Sequence, residues 1–279
     1  VPQATPLPQA APTTPPPETF LNKELPRVGV ILSGGGLKTF AHLGVLREFQ
    51  RARIPIHSVA GLEWGAVIGG LYSMLGQVND AEWKAFKLKE TDLPSGGGFL
   101  STKIKPQPIS SLNGFLDTAF ANSTIERGKI EFGCPSYSIK SDKVTWQSRG
   151  SLKDAMARCL PYPPFFTDNG GVFASPFSID EAAAWLRSRG ANVIVLVNVL
   201  AGGEIFPPKL YSEEYAESLL WYEARREGLR AKEPIVNWVV NVDTTGHPIT
   251  DFAGRRALMD SGAKAATSVV NKMASHYGF

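Results

Sequence analysis

The sequence predicts an α/β fold, a three-layer sandwich in which a mainly parallel central sheet carries helices on both faces. Two observations predict it. Short apolar, β-branched runs alternate with segments whose apolar residues recur at helical spacing, as in a parallel sheet covered on both sides. The plan of strand, glycine turn and helix also occurs twice near the start of the chain.

Residues 28–32, Val-Gly-Val-Ile-Leu, lie between Pro26 and a glycine cluster and suit a buried parallel strand. A turn follows at Ser33-Gly34-Gly35-Gly36. From Lys38 to Arg51, Phe40, Leu43, Val45, Leu46 and Phe49 recur at helical spacing. Residues 57–60 predict a second strand, 61–65 a tight turn, and 66–75 a nearly all-apolar, buried helix. Residues 91–111, with Gly96-Gly97-Gly98, Pro106 and Pro108, show no period and read as a mobile loop able to lie over a cleft. Residues 137–140 and 144–147 alternate around Ser141-Asp142-Lys143, a hairpin signal. Helices are expected at 151–160, stopped by Pro161, Pro163 and Pro164, and at 180–189, ended by Gly190. A strand at 193–199, a charged helix at 213–232, a strand at 236–242 and a final helix at 252–276 complete the order.

The chain has 279 residues, 43% of them hydrophobic, enough for one substantial core. Residues 1–26 hold eight of the 21 prolines and read as an extended, disordered tether, leaving 27–279 as a single α/β domain. The chain starts at Val1 without an apolar signal segment, so the start is expected to be trimmed. Such a tether suggests a bacterial cell-envelope or periplasmic protein, lipid-anchored through this segment, the alternative being a cytoplasmic protein with a disordered extension. No apolar run approaches the roughly 20 residues needed to span a bilayer. A net charge of +3, scattered along the chain, argues against nucleic acid and leaves mild attraction to anionic lipid headgroups. Cys134 and Cys159 either pair in an oxidising space or remain two buried thiols. No histidine spacing suits a metal, and no cofactor is expected.

Three blocks carry the chemistry. Ser33-Gly34-Gly35-Gly36-Leu37-Lys38, followed by Gly44-Val45-Leu46, resembles the glycine-rich oxyanion loop of patatin-like phospholipases. Ala60-Gly61-Leu62-Glu63-Trp64-Gly65-Ala66 is similar to the nucleophile elbow of that family, and Asn169-Gly170-Gly171-Val172 to the block that normally begins with the catalytic aspartate. The order of the blocks is right, and the resemblance extends over residues 27–262. A dinucleotide fingerprint would need glycine at Thr39, and a P-loop a Gly-Lys pair at Leu37-Lys38, so nucleotide binding is set aside.

The resemblance implies a patatin-like fold, in which a serine on a sharp strand-to-helix turn attacks an ester carbonyl with an aspartate as its direct base. Backbone N–H groups of the glycine-rich loop would hold the developing oxyanion. Here the dyad positions hold Glu63, a weak nucleophile toward esters, and Asn169, which accepts no proton at neutral pH. Thr39 stands where the family usually has glycine. The expectation is therefore a pseudoenzyme that is inactive as a lipid acyl hydrolase and serves as a lipid-binding, protein-binding or scaffold domain. The alternative is a residual phospholipase or esterase with a non-standard nucleophile. The partners implied are a lipid or membrane surface, a protein partner or a second copy of the chain. Glu63 is expected to face the N–H donors of residues 34–37, with Lys38 as its ion partner. Asp168 either slides into the base position or is a solvated loop acid. Ser33, His42, His57, His247 and His276 are read as structural, and Trp64, beside the elbow glycines Gly61 and Gly65, as core or pocket lining.

Overall fold

The computed structural model describes residues 26–94, 106–205 and 235–279. The tether and the charged helix expected at 213–232 lie outside the described residues, apart from Pro26, as do residues 95–105 of the expected loop.

A central sheet is built on β1 (Val28–Leu32), whose five residues are all buried. It pairs in parallel with β2 (Ile56–Gly61) on one side and with β6 (Val193–Asn198) on the other. β3 (Glu131–Ser138) and β4 (Lys143–Gln147) extend the sheet beyond β2, and β7 (Trp238–Asn241) extends it beyond β6, giving the order β4-β3-β2-β1-β6-β7. The first residues of β3 run parallel to β2, whereas its later residues pair antiparallel with β4 and with the short β5 (Val172–Ala174). The expected hairpin is thus the far end of a longer strand.

Helices cover both faces. In register, Val30 sits beside Val59 and Ile31 beside Ala60, so alternate residues face opposite layers. Val59, Phe132 and Leu32 meet Gly69 of α2 (Trp64–Leu75), while Gly29 and Gly133 meet Leu186, Ala191 and Trp185 in and just after α6 (Ile179–Ser188). α1 (Ala41–Arg51) packs against α7 (Arg255–Tyr277), which buries Leu258, Met259, Gly262, Ala266, Val270 and Met273, a stripe at helical spacing.

Several bounds differ from the expected ones for physical reasons. The helix expected from Lys38 opens as a tight 3-10 turn, Gly36–Phe40, because Gly35 and Gly36 have positive φ and turn the chain first. α2 starts two residues early, at Trp64. β7 is shorter than 236–242. Two helices were not legible: α3 (Val78–Ala85), which buries only Val78, Ala81 and Ala85, and α4 (Asn113–Phe120). Residues 109–111 of the expected loop belong to a 3-10 turn, Ile109–Leu112. α5 (Leu152–Cys159) starts one residue later than expected, because Ser151 caps it by accepting the N–H of Asp154.

Cys134 of β3 and Cys159 at the end of α5 form a disulfide, both buried, at a sequence separation of 25. By loop closure alone, a cross-link over that length stabilises the fold by about 3.5 kcal/mol. The double substitution Cys134→Ala with Cys159→Ala is expected to lower unfolding stability by about that amount, measured by urea denaturation.

Candidate active site

The carboxyl ends of the three central strands β2, β1 and β6 lie side by side at one end of the sheet, the place where open α/β sheets bind ligands. Three loops leave from there. The first is Ser33-Gly34-Gly35, anchored by Ser33 N to Val197 O at 3.1 Å and by the Ser33 hydroxyl, which accepts the N–H of Val199 at 3.1 Å. From α1, the buried His42 bonds Ser33 O through Nε2 at 2.8 Å, and burial lowers its pKa to about 4, so the ring is neutral. Thr39 donates its hydroxyl to Gly36 O at 2.7 Å, which gives the departure from glycine a role in closing the turn.

The second loop is the elbow between β2 and α2. Glu63 has φ 49 and ψ −125, a positive-φ conformation that costs a non-glycine residue about 1–3 kcal/mol. Its flanking glycines are required by contact. A Cβ on Gly65 would lie 2.4 Å from Leu32 O, and one on Gly61 would lie 2.5 Å from the Ala66 Cα. The sequence spacing of the elbow is thus the spacing at which helix and strand touch backbone to backbone.

The elbow aims the Glu63 side chain at the first loop. Glu63 Oε2 accepts the N–H of Gly35 at 2.7 Å and that of Gly36 at 3.0 Å. The carboxyl group sits over Gly34, whose Cβ position would be 3.0 Å from Oε2 and from the Pro176 side chain. Glu63 is fully buried, and Oε1 makes no hydrogen bond. Burial raises the pKa above its ordinary 4.5, opposed by the N–H groups of Gly35, Gly36 and Trp64. The expected ion pair with Lys38 is replaced by a different contact. The buried Lys38 donates from Nζ to Thr244 Oγ1 at 2.8 Å, and that hydroxyl also bonds Val199 O and Gly202 O.

A carboxyl that keeps its proton longer when folded adds its full stability below pH 4.5 and loses it as pH rises through the folded pKa. Glu63→Gln is expected to be the more stable chain above that range and to flatten this part of the pH profile, measured by thermal unfolding across the acid range.

The third block makes its side-chain hydrogen bonds elsewhere than to Glu63. Asn169 is exposed and donates its side-chain amide to Ala157 O at 3.0 Å, while its backbone pairs with Val172. Asp168 accepts the N–H of Gly171 at 2.6 Å on the surface, the arrangement of a loop acid holding a tight turn. Asn169 and Glu63 therefore share no hydrogen bond.

Residues that sequence reasoning did not place complete the surroundings. Leu37 N donates to Ile249 O at 2.8 Å, and a Cβ on Gly36 would meet both Ile249 and the Phe165 ring. Trp64 is buried with its ring 6.4 Å from that of Phe166. Gln107, at the end of the expected loop, pairs with residues 165–167 and so is tied to the same wall. Thr244 and Ile249 lie more than 200 residues from the loop they touch, and no local pattern marks them.

The model of a family described as patatin-like phospholipase matches residues 30–186, more than half of the chain. A lysophospholipase NTE1 of Coccidioides immitis is 30% identical over 181 residues, 62% of this chain and 11% of that protein. A patatin-like phospholipase domain-containing protein of Caenorhabditis elegans, ZK370.4, is 26% identical over 216 residues, 71% of this chain and 15% of that protein. The chain thus spans only a small part of the length of these curated relatives. The crystal structure of VipD from Legionella pneumophila superposes with a TM-score of 0.52 at 11% identity, covering 88% of this chain and 67% of that one, a likeness of fold alone.

These findings correct the expectation that the chain is not an enzyme. That reading rested on the side chains at two positions, whereas the matched family and the named relatives are phospholipases. Replacing a serine and an aspartate removes one route to hydrolysis and does not remove the backbone donors, the buried carboxyl group or the apolar surroundings. By the match over residues 30–186 and the central sheet that carries its motifs, the chain belongs to the patatin-like phospholipase family.

Proposed function

We propose that the domain hydrolyses the acyl ester of a monoacyl phospholipid, with Glu63 as general base at the elbow. The observation that carries this reading is the seat of the Glu63 carboxyl group on the Gly35 and Gly36 N–H groups, at the strand ends where the family pattern expects an ester to react. Relatives named lysophospholipases suggest the substrate class. Trp64, Phe165, Phe166, Pro176 and Ile249 offer apolar surroundings suited to an acyl chain.

In this mechanism the ester carbonyl oxygen displaces Oε2 and takes the two N–H donors. The released carboxylate accepts a proton from water as the water oxygen attacks the carbonyl carbon. Gly35 and Gly36 hold the tetrahedral oxyanion. Collapse breaks the ester C–O bond, Glu63 returns the proton to the departing glycerol oxygen, and a free fatty acid remains. Water as nucleophile avoids the anhydride that attack by the carboxylate would form. Burial raises the Glu63 pKa above the ordinary carboxyl value, so this carboxyl binds a proton more firmly than an exposed one does.

The test is release of fatty acid from lysophosphatidylcholine by the full chain. Release by the natural chain supports the reading. An inert natural chain beside an active variant carrying Glu63→Ser and Asn169→Asp overturns it.

We also infer an oxidising compartment, such as a cell envelope, from the disulfide between Cys134 and Cys159. Alkylation of intact cells followed by mass spectrometry tests this, and two alkylated thiols would contradict it.

A further inference from the structure

We propose that the groove between α3 and the start of α7 docks this domain on an anionic lipid bilayer. The groove has a volume of about 320 Å³ and is lined by Asn79, Glu82, Trp83, Phe86, Lys87 and Arg256. Trp83 is 63% exposed, the most exposed large apolar side chain among the described residues. Indole rings favour the boundary between headgroups and acyl chains. The charge beside it is positive: Glu82 is held by Arg47 at 2.6 Å, which leaves Lys87, 4.1 Å over the Trp83 ring, and Arg256, 5.3 Å from the Phe86 ring, to set the sign. Asp80, in the first turn of α3, lies outside the lining. An indole flanked by two cations matches an anionic headgroup layer better than a neutral one.

The groove is joined to the site by packing. Phe86 meets the Phe40 ring edge-on at 5.4 Å, and Phe40 ends the 3-10 turn that carries Gly36. Arg255 braces this joint, its guanidinium over Phe252, Phe86 and Phe40 and bonded to Leu88 O and Phe252 O. One aromatic contact thus separates the groove from the turn that carries Gly36.

The test is sedimentation of the full chain with vesicles of ether-linked lipids, which have no acyl ester, so that docking is read apart from hydrolysis. Vesicles of phosphatidylcholine are compared with vesicles half of phosphatidylglycerol. Binding is expected only to the anionic vesicles and to weaken with salt. Trp83→Ala, and separately Lys87→Glu with Arg256→Glu, are expected to lower partitioning about tenfold or more, with thermal unfolding unchanged. Collisional quenching by brominated lipids is expected in the natural chain and reduced in Trp83→Phe. Equal binding by the variants, or indifference of the natural chain to phosphatidylglycerol, overturns the proposal. Self-association abolished by Trp83→Ala, without vesicle binding, would assign the groove to a second copy and overturn it as well.

Discussion

Replacing Glu63 by alanine is expected to lower kcat/KM for a lysophospholipid by about a hundred- to ten-thousandfold, the range carried by a positioned proton acceptor. Glu63→Gln is expected to fall in the same range for a narrower reason. Glutamine keeps an oxygen for the N–H groups of Gly35 and Gly36 and loses only the ability to take a proton. The two variants together separate occupancy of the donors from proton transfer. If the carboxyl group acted only by blocking the donors, Glu63→Ala would raise turnover instead, because the substrate carbonyl would meet free amides. Steady-state release of fatty acid, with unfolding followed in parallel, distinguishes these results.

Gly44→Ala is expected to have the largest effect on stability. A Cβ at Gly44 would stand 1.8 Å from Met259 O, and one at Gly262 would stand 2.0 Å from Ala41 O. Each glycine lies under the backbone of the other helix, so α1 and α7 cross at contact distance. Relief requires the helices to part, which loosens the packing of the buried stripe of α7 that includes Leu258, Met259, Ala266 and Val270. Overpacking of this kind costs about 1–3 kcal/mol, and backbone against backbone places it at or above the upper end. Gly114 provides the control. It lies in α4 with nothing within 4 Å of its Cβ position, so Gly114→Ala is expected to gain about 0.5–1 kcal/mol. Urea denaturation of the two variants checks both signs. Loss of solubility in Gly44→Ala alone would agree with the account, whereas unchanged stability would contradict the helix crossing.

The parallel sheet was legible because β1 and β6 are continuous apolar runs, and Gly61 because its contact, with Ala66, lies within a few residues of chain, whereas Gly65 answers to Leu32 across the sheet. α3 was not legible, since three small or medium apolar residues over eight positions leave a weak stripe. β5, at three residues, is too short to show alternation. Within the site, the meeting of Glu63 with Gly35 and Gly36 followed from charge and donors that lie 27 and 28 residues apart. The partner of Lys38 did not, because Thr244 is 206 residues away and its loop carries no periodic signal. The inference of inactivity failed for another reason. Side-chain identity at two positions speaks to one chemical route, while membership of a family is spread over many residues of the sheet and its loops.

The pH dependence of kcat/KM for a lysophospholipid tests the role of Glu63 most directly. A base must be ionised, so activity should rise with pH through a midpoint above the ordinary carboxyl value of 4.5, displaced upward by burial. That rise should vanish in Glu63→Gln. No turnover by the natural chain, or the same midpoint in both proteins, would contradict the account.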